Sequence, residues 1–229
     1  MTLFTLLDFI AIAGFALAWS GYAFLLERTR HGRSGLNNRM DAFREDWMRR
    51  MLARENRMVD MQIMSAQQNG TAFFASASLI AVGGALTLTR STDDMIALAT
   101  YFPFAIPNSR ALWEAKTIGL CVIFVYAFFK FAWSYRLYNY VAVMLGAAPA
   151  ATDKDTPEAE AHILRAARLF TTAGRHFNRG QRAFFFALGY LGWFAGPIAL
   201  MITTLAVVVV MLRRQFASDS FHAVAGDGG

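Results

Sequence analysis

The sequence has a single cysteine, Cys121, among 229 residues. A disulfide within the chain is therefore excluded, and so is a zinc site built on cysteines. Histidine is scarce as well: His31, His162, His176 and His222 are scattered and lie outside the apolar runs. Glu158 and His162 have the spacing of a shared helical face, but two ligands do not make a metal site. No phosphate-binding loop, nucleophile elbow or HExxH motif occurs. No metal or other cofactor is therefore expected, and no catalytic residue stands out. Acidic residues number 16 against 22 lysines and arginines, a net charge of +6. That excess does not signal nucleic acid, because no nucleic-acid motif occurs and the arginines lie between apolar runs, as bilayer orientation alone produces. Four long stretches hold almost no charge at all, and this absence governs the rest of the chain.

What fills those stretches is apolar. Hydrophobic residues make up 56% of the chain, and mean hydropathy is +0.34. The runs cover residues 3–26, 71–89, 117–138 and 183–212. At about 1.5 Å per helical residue, even the run 71–89 reaches nearly the ~30 Å of a hydrocarbon core. The expected fold class is all-α: an integral membrane four-helix bundle, forming a single membrane domain over residues 1–229. The start, MTLFTLLDF, carries no positive stretch, and no small-residue cleavage site stands out after the first run. That run is expected to be a retained spanning helix rather than a signal peptide.

Small residues mark the expected helix contacts. Ala11, Gly14, Ala18 and Gly21 share one face of the first run, and Ala77, Ala81 and Ala85 form a ladder in the second. The last run contains Gly192 and Gly196 in a GxxxG, followed at once by Pro197. A proline there predicts a kink in one long span. Trp193 falls near mid-membrane in that reading, so its N–H needs a partner; Ser78 is one candidate.

Two amphipathic helices are expected between the spans, over about 38–67 and 157–178. In the first, Met40, Phe43, Trp47, Met51 and Met58 fall near one stripe. Glu45 with Arg49, and Asp46 with Arg50, are stabilising i,i+4 pairs on the other face. Thr156, Pro157, Glu158 and Glu160 signal the start of the second. Its apolar positions Ile163, Ala166, Phe170, Ala173 and Phe177 repeat at helical spacing, and the two helices are expected to pack on each other or on the inner membrane face. Asn69-Gly70 reads as a break before the second span, and Gly180-Gln181-Arg182 as the lead into the last. The patch MIALATYFPFAIPNSR, interrupted by Pro103 and Pro107, is too short to cross and reads as interfacial or re-entrant. The polar tail after Arg214 is expected to be disordered.

With four spans, sixteen of the lysines and arginines fall on the side of loops 27–70 and 139–182, against five on the other. The positive-inside rule then makes both loops cytoplasmic and both termini periplasmic, in a bacterial inner membrane.

Four stretches carry a family resemblance: WMRRMLARENRMVD, the join NGTAFFASASL, FAWSYRLYNY, and GQRAFFFALGYLGWFAGP. Together they resemble the domain-of-unknown-function family 599 of bacterial and plant membrane proteins, touching most of the chain between about residues 8 and 200. The resemblance implies a multi-pass membrane protein. It implies no activity, substrate or catalytic residue.

Lys130, an intramembrane charge, is the first functional candidate. Its competing reading is a lysine that snorkels toward the inner boundary. Asp8 lies at a different depth and could meet Lys116 or Arg110 instead, or simply sit at the interface. Arg54, Arg57, Arg136 and Arg182, with Arg49 and Arg50, suit a basic cytoplasmic vestibule for an anion or acidic headgroup; the simpler reading is orientation signal and helix surface pairing. Two function classes stay open: a non-enzymatic scaffold or accessory subunit, and a small transporter or oligomeric ion channel with a basic entrance. Partners in either case are the lipid bilayer and other copies or members of a membrane complex.

Overall fold

A computed structural model describes residues 4–90, 92 and 109–225. Among them the chain is helical and has no strand: α1 Leu6–Arg28, α2 Arg30–Arg33, α3 Leu36–Leu52, α4 Met58–Arg90, α5 Arg110–Gly146, α6 Pro157–Ala195, α7 Pro197–Phe216 and α8 Asp219–Ala225, with a 3-10 turn at Ala151–Asp153. Four helical segments are long and apolar enough to cross a membrane: Leu6–Arg28, Met58–Arg90, Arg110–Gly146 and Pro197–Val224. Of the apolar patch at 95–110, residues 95–108 lie outside the described residues.

The helices run longer than the sequence suggests. α4 passes through Asn69-Gly70 without a break, so the short helix ahead of it is α3 alone. α6 likewise continues through Gly180-Gln181-Arg182, joining the expected helix 157–178 to the apolar residues that follow. Gly180 has a packing reason to be glycine: a Cβ there would meet the Phe131 ring at 2.6–2.8 Å. Residues 219–225 of the expected disordered tail form α8.

The chain divides into two compact units. One comprises 1–36, 78–126 and 182–229, and the other 37–77 and 127–181.

In the second unit, α3 packs on α6. The Trp47 and Phe170 rings lie 5.2 Å apart, and the Arg44 guanidinium lies over Phe170 at 5.6 Å. Met48, Met51 and Leu52 join Leu137, Tyr138, Val141, Ile163, Ala166 and Phe170 in a buried core. Met40, Phe43 and Met58 are exposed, so the expected apolar stripe is buried only in part. Arg49 pairs with both Glu45 (3.1 Å) and Glu160 (2.6 Å); these hydrogen bonds, Glu45 first, raise its guanidinium pKa. Arg50 pairs with Asp46 at 2.9 Å. α5 and α6 run antiparallel, with Tyr138 against Phe170, the Ser134 hydroxyl donating to the Ala173 carbonyl at 2.8 Å, and Phe131 against Phe177. Thr156 caps α6 by accepting from the Ala159 N–H at 3.3 Å.

In the first unit the expected single span over 183–212 does not form. The Thr203 hydroxyl donates to the Gly189 carbonyl at 2.6 Å. In one helix, fourteen residues would separate these groups by about 21 Å. A Cβ on Gly192 would meet Ala199 O at 2.8 Å, and one on Gly189 would meet Val207 at 3.4 Å. Arg214 reaches back over the Phe185 ring at 5.1 Å. The chain therefore reverses, and the end of α6 packs antiparallel to α7. The reversal sits on Gly196, whose φ of 140° is open to glycine and strained for other residues. Pro197 then occupies the first helical position of α7, where no N–H is needed. The proline starts a new helix instead of kinking an old one.

α1 packs along both arms of this hairpin. Asp8 bonds Trp193 near the turn, and Glu27 pairs with Arg182 at the other end. The last turns of α6 thus run the length of α1 in the opposite direction. α7 runs parallel to α1, with the Tyr22 hydroxyl donating to the Met211 carbonyl at 3.3 Å. The start of α5 packs antiparallel to α6, through Trp113 on Phe194 and Phe124 on Phe184.

Candidate functional site

Within the first unit, three helices bring polar groups into an apolar interior. Asp8 comes from the first turn of α1, Lys116 from the second turn of α5, and Trp193 from the end of α6. Asp8 is 3% exposed, Lys116 1% and Trp193 3%. Thr5 sets the start of α1: its hydroxyl accepts from the Asp8 N–H at 3.2 Å. Asp8 returns the bond through Oδ2, which accepts from the Thr5 N–H at 3.0 Å and from the Thr5 hydroxyl at 2.7 Å. This capping box satisfies two backbone donors and places an acid at the positive end of the helix dipole. The other oxygen, Oδ1, accepts from Trp193 Nε1 at 2.8 Å. Lys116 lies over the Trp193 ring, its Nζ 5.4 Å from the centroid, and interacts electrostatically with Asp8. An indole face thus holds the cation while the indole edge donates to the anion.

Of the readings of Asp8, the structure brings out the meeting with Lys116, and it buries the carboxylate among helices. Trp193 takes Asp8 as its partner in place of Ser78. Its mid-membrane depth also disappears: Trp193 lies three residues before the turn at Gly196, at the end of its helix. Aromatic packing closes around the cluster, with Tyr190 against Trp193 at 5.5 Å and Phe15 against Tyr190 at 5.4 Å. Gly119 admits Tyr190 closely; a Cβ at that position would meet the phenol at Cζ within 2.9 Å and at the hydroxyl nearer still.

The other unit holds a second buried acid, Asp60, which is fully covered. Its Oδ1 accepts from Trp47 Nε1 at 2.7 Å and from Arg54 at 2.5 Å. The carboxylate thereby ties the start of α4 to α3 and to the connection between them. Nothing in the local sequence marked it, because its burial depends on how α3 folds against the start of α4.

A family model matches residues 10–220, nearly the whole chain. The chain belongs to DUF599. That family is described as protein of unknown function. No curated protein matches the chain, and no solved structure does. In this DUF599 protein the candidate residues named from the sequence fall as follows. Arg54 is held by Asp60. Arg57 donates to the carbonyls of Ala148 (3.0 Å) and Pro149 (2.5 Å), stapling two connections together. Arg136 is exposed, its Nε donating to the Tyr140 hydroxyl at 2.7 Å. Lys130 is partly buried in the same unit as these three. Arg182 belongs to the first unit, where it is 8% exposed and pairs with Glu27 at 2.5 Å. Of the small residues, Gly192 sits at a close approach, Gly196 adopts a positive φ that favours glycine, and Pro197 is buried. A Cβ added to Gly14 would meet nothing within 4 Å, and Ala18 and Ala81 are partly exposed. Among the described residues no group of three or more His, Cys, Asp or Glu side chains gathers as a metal site would require.

Proposed function

We propose that this is an inner-membrane protein of bacteria that works as a non-enzymatic scaffold or accessory subunit. The observation that carries this reading is the closure of the Asp8 site. Both carboxylate oxygens are occupied, by Trp193 on one side and Thr5 on the other. A transport site keeps an ionisable group open to a path, whereas this one spends its bonding capacity on joining α1 to α6. Arg54, Arg57 and Arg182 are likewise engaged with carboxylate or carbonyl oxygens.

The chain crosses the bilayer five times in this reading. If α1 spans, so do the last turns of α6, which contact it at both ends, and α7 crosses back. Residues 182–195 supply only about 20 Å of rise, and the Arg182 stem and the Trp193 ring extend that reach. Arg213 and Arg214 then join the cytoplasmic side. The count of lysines and arginines becomes eighteen against three, a sharper asymmetry than four crossings give. The N-terminus is periplasmic and the C-terminus cytoplasmic.

A second reading, a small transporter or oligomeric channel, is favoured by the burial of Lys116 beside Asp8, since ionisable pairs inside apolar bundles often mark ion paths. Reconstituted vesicles separate the two. The scaffold reading expects proton, sodium, potassium, chloride and phosphate flux equal to that of protein-free vesicles. Flux that Asp8→Asn abolishes, in a variant that still folds, would establish the transporter instead.

A further inference from the structure

The hairpin has a second consequence, which rests on the five-crossing topology proposed above. The end of α7 returns to the end of α1: Tyr22 bonds Met211, and Gly35 lies against Gln215 and Phe216. Arg213 and Arg214 thereby share one end of this unit with Arg28, Arg30 and Arg182. Tyr22 is within electrostatic reach of both Arg182 and Arg214. Arg28, Arg30, Arg213 and Arg214 are exposed and form no ion pair among the described residues. Glu27 is paired with Arg182, and the next acid along the chain on the α7 side, Asp219, opens α8 beyond the cluster. The linear sequence hides this excess, because a single last span would put Arg213 and Arg214 on the opposite face.

The depth of the cluster matters as much as its charge. On α1 the apolar run ends at Leu26, two residues or about 3 Å before Arg28. On α7 it ends at Leu212, directly before Arg213. The guanidinium groups therefore begin where hydrocarbon stops. Directly beyond them, Phe24 is 64% exposed, and Val209 and Val210 are 55% and 51% exposed. Such surfaces suit acyl chains and not water. A guanidinium fork matches two phosphate oxygens at once. We infer that this cluster binds the headgroup phosphate of an anionic phospholipid, whose chains lie along the exposed faces of α1 and α7.

Thermal unfolding of the purified full-length protein in neutral detergent tests this, with phosphatidylglycerol, phosphatidylcholine and inorganic phosphate titrated separately. Phosphatidylglycerol raises the melting temperature at concentrations where the other two do not, and the gain shrinks with added salt. Replacing both Arg213 and Arg214 by alanine moves the phosphatidylglycerol titration to roughly tenfold higher concentration or more, whereas replacing both by lysine keeps most of the response. If the alanine variant does not fold, native mass spectrometry of the wild-type protein decides, with phosphatidylglycerol surviving detergent stripping better than phosphatidylcholine. Equal responses to the two lipids, an equal response to inorganic phosphate, an unmoved titration in the alanine variant, or equal stripping of the two lipids would overturn the inference. A cytoplasmic C-terminus with any of these results removes the lipid site alone; a periplasmic C-terminus removes the topology beneath it.

Discussion

Asp8 holds three donors on one carboxylate, and a buried cation stands beside it. Its replacement is therefore expected to cost more than a surface change. Asp8→Ala strands the Trp193 N–H and removes the carboxylate that interacts with the buried Lys116, at about 1–3 kcal/mol. Trp193→Phe keeps an aromatic face but loses the N–H bond to Asp8 and part of the ring's volume, at about 1–3 kcal/mol for the unmade bond. Unfolding in detergent measures both, and equal stabilities of Asp8→Ala and the wild type would show that the cluster does not hold the helices. At this scale the sequence was half legible. The depths of Asp8 and Lys116 made them possible neighbours, because both lie near the same ends of their runs. The Trp193 bond was not legible, since it requires the chain to turn at Gly196. Asp60 was hidden for a similar reason: it looks like any other acid on a charged helix until α3 folds against the start of α4 and Trp47 reaches it.

At the scale of elements, apolar runs located the long helices well and their joints poorly. Glycine and asparagine suggested a break at Asn69-Gly70, and Gly180 marked the lead into the last run, yet α4 and α6 continue through both. A glycine inside a helix costs only about 1 kcal/mol, which packing along two long helices outweighs. Gly196-Pro197 misled in the other direction. A proline following glycine is compatible with a kink or a reversal, and the choice depends on φ at Gly196 and on the small residues that let the arms meet. The apolar stripes of α3 and α6 were legible but not their target, the membrane face or each other; Trp47, Ile163, Ala166 and Phe170 show that they pack together. Gly119 supplies an element-scale test. Gly119→Ala drives a methyl into the Tyr190 phenol and separates α5 from α6, at about 1–3 kcal/mol of overpacking. Tyr190→Phe in that background removes the nearest atom and restores part of the loss. Strictly additive effects in a double-mutant cycle would show that the two positions do not touch.

For the whole molecule, the reversal at Gly196 is the central feature. It converts one over-long apolar run into two arms, brings Trp193 to Asp8, and returns Arg213 and Arg214 to the arginine-rich end of α1; in the proposed five-crossing topology it also sets the side on which the chain ends. Composition alone could not reveal it, because a run of apolar residues reads the same whether it crosses once or doubles back. Cysteine labelling tests it most directly. In a Cys121→Ala background, Ser109→Cys, Lys154→Cys and Ser220→Cys are made one at a time and exposed to a membrane-impermeant maleimide. In intact spheroplasts, labelling of Ser109→Cys alone is predicted, with Lys154→Cys and Ser220→Cys reacting only after permeabilisation. Labelling of Ser220→Cys in intact spheroplasts, together with Ser109→Cys, would contradict the account.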